Sequence, residues 1–189
     1  MRRLTETEIE NLIQVAQKTS LRDATMICVS YFHAMRSSEI CDLEVSDVNL
    51  QTSSIVVRRK KGSLTTTQSL HVHKGKPHLD EVKMLKRWMD ESQASNREFV
   101  FNTQKGVKMN PRSWWRLFRG YCIAAGIDSK LAHPHSVKHA AGTYLLRTGA
   151  DLATVRQYLG HKSYQSTFRY LGVDDSQASE TAQKLFSRM

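Results

Sequence analysis

The sequence has few of the features that mark secreted, disulfide-stabilised or membrane proteins. Its three cysteines, Cys28, Cys41 and Cys122, are odd in number and widely spaced, which favours buried, reduced thiols over disulfides or a metal site. No apolar run approaches the roughly 20 residues that a membrane-spanning helix needs. The N-terminal segment Met-Arg-Arg-Leu-Thr-Glu lacks the apolar core of a signal peptide. We therefore expect a soluble, cytoplasmic protein.

Acidic residues are also in short supply. The chain carries 28 Lys and Arg against 18 Asp and Glu, which gives a net charge of +10 and a pI of about 9.7. A basic balance of this size fits a polyanionic partner, although charge alone is also compatible with an ordinary basic protein. A length of 189 residues suits one domain with a sizeable core.

Hydrophobic periodicity predicts a mainly α-helical α+β domain with a small antiparallel β-sheet. Thr5 and Glu8 have the spacing of a capping box, and the next helix is apolar nearly all round, as expected of a buried centre. The paired tryptophans Trp114 and Trp115 follow core spacing, so we interpret both as core residues. The predicted helices span 5–18, 21–33, 78–91 and 110–126, and the predicted strands span 54–59 and 68–73 with a loop at 61–67 between them.

The stretch from His133 to Tyr170 carries the densest set of reactive side chains. Pro134 is suited to the first turn of a helix, and Gly149 and Gly160 are the expected helix ends. Asp151 is a candidate cap for a second short helix, and a third short segment spans 163–171. Three helices with two glycine stops would bring distant polar groups to one pocket.

A tyrosine among cations suggests a particular chemistry. A phenol has a pKa of about 10 and is a poor nucleophile unless cations and a base stabilise its anion. Attack on a phosphodiester places charge on the non-bridging oxygens, which guanidinium, ammonium and imidazole donors can stabilise. Tyr170 with Arg, Lys and two His is therefore a candidate for covalent phosphoryl transfer.

The same residues resemble the catalytic boxes of the tyrosine recombinases, the phage-integrase-like family. The matching motifs are His135 with Lys138, Leu159-Gly160-His161, and Tyr170 nine residues beyond His161. Lys138 departs from the family, which has a second arginine at this position. The resemblance implies the catalytic-domain fold of the DNA breaking-rejoining enzymes, and cleavage and rejoining of DNA through a 3′-phosphotyrosine.

The resemblance extends to two further motifs of the family, one around Arg36 and one in the β-hairpin. Arg36, followed by Ser37 or Ser38 as the cap of a short helix and by Glu39, matches the first catalytic arginine. Taken alone, Arg36 is better interpreted as a solvated arginine in an ordinary ion pair with Glu39, and only the match of the other motifs favours the catalytic interpretation. The family places a catalytic lysine at the tip of the β-hairpin, where we choose Lys61. Lys60 is the alternative, and so is a hairpin that only contacts DNA phosphates.

The resemblance assigns a role to each residue. Tyr170 is the nucleophile, Arg36 and Lys138 stabilise the pentavalent state, and Lys61 is the general acid. His135 and His161 donate hydrogen bonds or carry the phenol proton, and Glu39 orients Arg36 or His135. The phosphotyrosine conserves the bond energy, so no nucleotide cofactor and no metal are required. The histidines show no ligand spacing typical of zinc.

The resemblance also implies partners. Double-stranded DNA is the substrate, with a homo-oligomer, a tetramer, assembled on it, and neither a membrane nor a small-molecule substrate is expected. The basic face formed by Arg112, Arg116 and Arg119 is expected on the DNA side, and a C-terminal helix is expected to dock on a neighbouring protomer. Residues 1–189 correspond to the catalytic domain without a separate N-terminal core-binding domain. This fits either a trimmed domain or a small single-domain member such as the fimbrial invertases.

Three functions remain open at this point. The first is a site-specific recombinase or integrase, of the kind carried by mobile genetic elements. The second is a catalytically impaired DNA-binding regulator derived from the family, which the change to Lys138 favours, because lysine lacks the planar fork of arginine. The third is a relaxing enzyme similar to type IB topoisomerases. We rank them in that order.

Overall fold

A computed structural model describes residues 2–60, 62–93, 96–168, 170, 183, 186 and 187. Its elements, in chain order, are α1 Glu6–Gln17, α2 Leu21–Phe32, α3 Ser37–Cys41, β1 Val48–Asn49, β2 Ser54–Val57, β3 Thr66–Ser69, α4 Glu81–Ser92, α5 Pro111–Ala124, α6 Pro134–Arg147, α7 Leu152–Tyr158 and α8 Gln165–Phe168. Short 3₁₀ turns lie at Val45–Asp47 and Pro77–Leu79. The predicted fold class, mainly helical with a small antiparallel sheet, is confirmed.

The core forms around α2, as the all-round apolar sequence predicts. Every residue from Asp23 to Tyr31 is buried, and α2 packs against α1, α4 and α6. Thr5 caps α1 as predicted: its hydroxyl accepts from the Glu8 amide, and the Glu8 carboxylate accepts from the Thr5 amide at 2.9 Å. The central position of α2 matters because the chain reversal after its C-terminal end leads directly to Arg36, a residue of the site described below.

The sheet has the order β1-β2-β3 with antiparallel pairing. Both predicted strands are displaced: β2 ends at Val57 rather than at residue 59, and its partner runs from Thr66 to Ser69. After Val57 the ladder ends because the Leu64 amide of the partner segment donates to the Gly160 carbonyl at 2.8 Å. Beyond Ser69 the His71 amide donates to the Glu81 carboxylate at 2.7 Å instead of to a strand.

Two predicted helix starts are also wrong. The N-cap of α3 is Arg36, not Ser37 or Ser38, and the Glu39 carboxylate accepts from the Arg36 amide at 2.8 Å. Helix α4 begins at Glu81 rather than at residue 78, because the segment before it forms a 3₁₀ turn and Asp80 caps the helix by accepting from the Lys83 amide. In both cases an acidic side chain decides where the helix begins.

The tryptophan pair divides between the core and the surface. Trp114 is buried as predicted, whereas Trp115 is 41% exposed, so the core interpretation is wrong for Trp115. Neighbouring residues on a helix point about 100° apart, and α5 turns Trp114, Phe118 and Cys122 inward. The three cysteines are buried and free, as predicted.

In the described part of the chain no helix is long and apolar enough to cross a membrane. The same residues contain no group of three or more His, Cys, Asp and Glu that could hold a metal ion. The predicted C-terminal helix falls almost entirely outside the described residues.

Candidate active site

Five of the six predicted site residues line one cleft of about 320 Å³. They come from the start of α3, from α6, from the turn after α7 and from the segment after α8. The cleft is lined by Arg36, Gly62, Ser63, His135, Lys138, His161, Lys162, Ser163, Ser166 and Tyr170. Lys61, the sixth, lies outside the described residues.

Arg36 reaches the cleft because α2 ends in a tight reversal. The Met35 amide donates to the Ser30 carbonyl at 2.9 Å, and Ala34 adopts a left-handed backbone with φ 47°, a conformation usually taken by glycine at this position. The Arg36 guanidinium donates to Glu39 at 2.6 Å. The ion pair with Glu39 therefore exists, and it holds an arginine that also lines the cleft.

Lys138 lies at the buried floor of the cleft. Pro134 occupies the first turn of α6 as predicted, and Lys138 follows one turn later with only 1% of its surface exposed. Its ammonium donates to the Ala34 carbonyl at 2.7 Å. Burial, with the neighbouring charges of Arg59 and Arg36, lowers the pKa of Lys138 to about 7, while Glu39 opposes the shift.

Glu39 is the buried anion behind these cations. Its carboxylate accepts from the Arg36 guanidinium, from Arg59 at 3.2 Å and from the Lys60 amide at 3.1 Å. Burial alone would raise the pKa of Glu39, but the charges of Lys138 and Arg59 and the hydrogen bonds from Arg36 outweigh it and lower the pKa. Glu39 thus stays ionised and orients Arg36, one of the two roles expected of it.

The turn after α7 places His161. Gly160 has φ 68° and the His161 amide donates to the Arg156 carbonyl at 3.0 Å, the pattern of a Schellman helix end. A side chain at Gly160 would meet the Leu64 carbonyl oxygen at 2.4 Å, so only glycine lets the hairpin loop pass this close. His161 Nδ1 lies 2.9 Å from the Thr167 hydroxyl, which fixes the ring within the cleft.

Tyr170 packs against α6 and two histidine rings. Its ring centroid lies 5.2 Å from that of His139 and 6.1 Å from that of His161, and 3% of the residue is exposed. A Cβ at Gly142 would lie 2.8 Å from two carbons of the Tyr170 ring. The ring therefore occupies space that only a glycine in α6 leaves open.

Sequence reasoning missed three contributors to this site. His139 Nε2 lies 3.0 Å from His135 Nε2, so one ring donates and the other accepts. Gly142 makes room for Tyr170, and a glycine inside a helix, which costs up to about 1 kcal/mol relative to alanine, was the available signal. The Arg59 side chain is fully buried, and the available signal was strand alternation, which places it on the same face as the buried Ile55 and Val57.

Lys60 does not line the cleft. Its ammonium pairs with Asp42, which also accepts from Lys108 at 2.9 Å. Lys60 belongs to a second cavity of about 260 Å³, whose walls include the acidic residues Asp42, Glu44 and Asp47. The two cavities lie on either side of Glu39, which contributes to the second one and holds Arg36 in the first.

A phenol, two imidazoles, a guanidinium and a buried ammonium around one cleft suit attack on a phosphodiester. The cations can neutralise charge on phosphate oxygens, and the imidazoles can accept or donate a proton near neutral pH. Comparison with known proteins agrees with this chemistry. Residues 2–177 match the phage integrase family, and the chain belongs to that family, that of the tyrosine recombinases.

Named relatives make the likeness specific. The chain is 31% identical to the type 1 fimbriae regulatory protein FimE of Escherichia coli K12, over 89% of this chain and 84% of FimE. The crystal structure of XerA recombinase superposes with a TM-score of 0.81 at 28% identity and covers 97% of this chain. XerH recombinase bound to its difH substrate shares the fold, with a TM-score of 0.75 at 22% identity over 95% of this chain. The chain spans 65% of the XerA chain and 52% of the XerH chain.

Proposed function

We propose that this protein is a site-specific DNA recombinase that cleaves and rejoins DNA through a 3′-phosphotyrosine formed on Tyr170. One observation carries the proposal: Arg36, His135, Lys138 and His161, from three separate parts of the chain, line one cleft together with Tyr170 from a fourth. Arg36 and His161 therefore share the cleft with the proposed nucleophile, as a concerted phosphoryl transfer requires.

The proposed reaction balances without a cofactor. The Tyr170 oxygen attacks the phosphorus and gives up its proton to His135 or His161, while the bond from phosphorus to the 5′-oxygen breaks. Lys61 protonates the departing 5′-oxygen, so a free 5′-hydroxyl and a 3′-phosphotyrosine result. Arg36 and Lys138 stabilise the charge on the non-bridging oxygens. Attack by a 5′-hydroxyl on the phosphotyrosine rejoins the strand and restores the phenol.

Lys61 is a better general acid than Lys60 for a structural reason. The Lys60 ammonium is neutralised by Asp42 in the second cavity, whereas Gly62 and Ser63, which follow Lys61, line the cleft. These neighbours support the assignment of Lys61.

DNA is the partner that fits the charge distribution. Beyond the cleft, the residues Arg112, Trp115, Arg116 and Arg119 are exposed along α5, and the Arg119 guanidinium lies 5.5 Å from the Trp115 ring. We propose this face as a phosphate-contacting surface of a tetramer on DNA in the cytoplasm.

The salt dependence of DNA binding tests this surface. Replacing each arginine by alanine is expected to make the slope of log affinity against log salt concentration less steep by about 1. An unchanged slope would remove α5 from the interface.

A nicked suicide substrate tests the central proposal. Such DNA loses its short 5′-hydroxyl fragment after cleavage, so the covalent protein–DNA complex accumulates and is counted by denaturing electrophoresis. Wild type and Lys138→Arg are expected to form the complex, and Tyr170→Phe to bind the DNA equally well without forming it. If neither wild type nor Lys138→Arg is trapped while both bind DNA, the chain is a binding protein and the catalytic proposal fails.

A further inference from the structure

Arg59 is a buried arginine to which neither the reaction nor the DNA surface assigns a role. It follows β2 and precedes the hairpin tip, and its side chain is 0% exposed. A buried guanidinium is costly unless several acceptors surround it, and five donors in a rigid fork allow one arginine to bond several groups at once.

The acceptors around Arg59 come from three separate segments. Nη1 donates to the Ala34 carbonyl at 2.9 Å and to Glu39 at 3.2 Å, and Nη2 donates to the His33 carbonyl at 2.8 Å and to the Tyr158 carbonyl at 3.0 Å. These groups lie after α2, in α3 and at the end of α7. One guanidinium therefore joins the hairpin base to all three.

Three of these four contacts lead to a residue of the cleft. The Ala34 carbonyl also accepts the Lys138 ammonium, and the Glu39 carboxylate also holds Arg36. Tyr158 is the last residue of α7, three before His161. The Arg59 side chain also lies close to the backbone there, because a Cβ at Gly160 would come within 2.9 Å of Arg59 Cγ.

We propose that Arg59 is a positioning residue for DNA cleavage, which sets Arg36, Lys138 and His161 relative to one another without touching the DNA. The inference rests on the proposed function, because the geometry that Arg59 sets is that of the cleavage site. Lysine at position 59 keeps the charge but reaches fewer of the acceptors. It gives these buried acceptors fewer hydrogen bonds and lets the four segments shift.

The experiment compares Arg59→Lys with Arg58→Lys. Arg58 is a matched control, since it is the adjacent arginine, is 56% exposed and pairs with Glu44 and Asp47 outside the cleft. We expect Arg59→Lys to form the covalent complex about 100-fold more slowly in single turnover, the order of cost of a misplacement of about 1 Å. DNA affinity and the far-ultraviolet circular dichroism spectrum should stay those of wild type. Arg58→Lys should cleave at the wild-type rate.

A pH profile separates positioning from general destabilisation. Arg59 lowers the pKa of Lys138 through its charge, so Arg59→Met should raise the pKa of Lys138. The cleavage rate of Arg59→Met should then decline at a higher pH than that of wild type. Arg59→Lys keeps the charge, so its rate should decline at the same pH as that of wild type. Loss of folded protein alone lowers the rate at every pH and moves neither profile.

The outcomes distinguish this inference from the proposed function. If wild type forms the complex and Arg59→Lys forms it equally fast, the inference is overturned and the proposed function stands. If the wild-type protein forms no covalent complex, both the inference about Arg59 and the proposed function are overturned. If Arg59→Lys is slow and loses DNA affinity or secondary structure to the same degree, Arg59 is a general stabilising residue and the positioning role is rejected.

Discussion

The two cavities beside Glu39 differ in how their charges are compensated. Arg36, Lys138 and two histidines line the cleft, where the described lining residues include no carboxylate, and the buried Glu39 behind them pairs with Arg36, so positive charge is left over for a phosphate. In the second cavity, Asp42, Glu44 and Asp47 neutralise Lys60, Lys108 and Arg58 with ion pairs. Both cavities contain cations, but only one has cations in excess.

This difference shows why charge count alone does not locate the site. A net charge of +10 predicts a polyanionic partner for the whole molecule, whereas catalysis depends on cations that lack matching carboxylates. The two cavities also shift the pKa of lysine in opposite directions. Burial among like charges lowers the pKa of Lys138, whereas the partner Asp42 raises the pKa of Lys108. The following experiments test this contrast, from the largest expected effect to the smallest.

Removing the hairpin lysines one at a time should give very different results. Lys61→Ala is expected to slow covalent complex formation by about 10²- to 10⁴-fold, the range for loss of a general acid, with DNA affinity largely kept. Lys60→Ala should stay within about threefold of wild type, because Asp42 already neutralises Lys60. Single-turnover cleavage of the suicide substrate measures both. A large loss in Lys60→Ala with activity kept in Lys61→Ala would exchange the two assignments.

Filling the space beneath the nucleophile should slow cleavage next most strongly. In Gly142→Ala the new methyl group would lie 2.8 Å from the Tyr170 ring, so the ring must move and the rate should fall about 100-fold. The matched control is Gly120→Ala in α5, where a Cβ meets nothing within 4 Å. The control should raise the free energy of unfolding by up to about 1 kcal/mol through helix propensity. A wild-type cleavage rate in Gly142→Ala would show that the ring is not held where we describe it.

The charge of Lys138 should appear in the pH dependence of cleavage. The ammonium form predominates below a pKa of about 7, so the wild-type rate should fall by about tenfold per pH unit well above that value. Lys138→Arg stays charged throughout and should not show this decline. Profiles that decline in parallel for the two proteins would assign the titration to another group.

The same shift affects stability. The pKa of Lys138 in the folded protein lies below its ordinary value of 10.5, so the unfolded chain binds the additional proton between about pH 7 and pH 10. The free energy of unfolding should therefore rise with pH in this window, and Lys138→Met should remove that part of the rise. Chemical denaturation at a series of pH values compares the two slopes.

Removing a carboxylate from the second cavity, which leaves cations in excess there as in the cleft, should have the smallest effect on DNA binding and cleavage. Asp42→Asn removes the partner of Lys60 and Lys108 and is expected to raise DNA affinity at low salt by a few-fold without changing the cleavage rate. Asp90→Asn is the control, since it removes an equal charge from an exposed pair with Lys86. A cleavage rate altered more than tenfold in Asp42→Asn would make the second cavity part of the active site.

Local sequence patterns predicted much of this protein because their physical basis lies within a few residues. The caps at Thr5, Asn110 and Asp151 satisfy amides no more than three positions away, and the motif spacing pointed to Arg36, His135, Lys138, His161 and Tyr170 before any contact was known. The strand ends, by contrast, were wrong because distant groups decide them: the Gly160 carbonyl takes the Leu64 amide, and the Glu81 carboxylate takes the His71 amide.

The sequence by itself determined the family, the order of the reactive residues and the basic charge, because these depend on residue type and spacing. Only the tertiary structure decided which lysine is neutralised, why Gly142 is needed and which acceptors surround the buried Arg59. These properties depend on contacts between segments about 20 to 130 residues apart in sequence, whose energies are set by burial and partner geometry. The lowered pKa of Lys138 has the same origin, since it arises from burial and from charges brought to it by other elements.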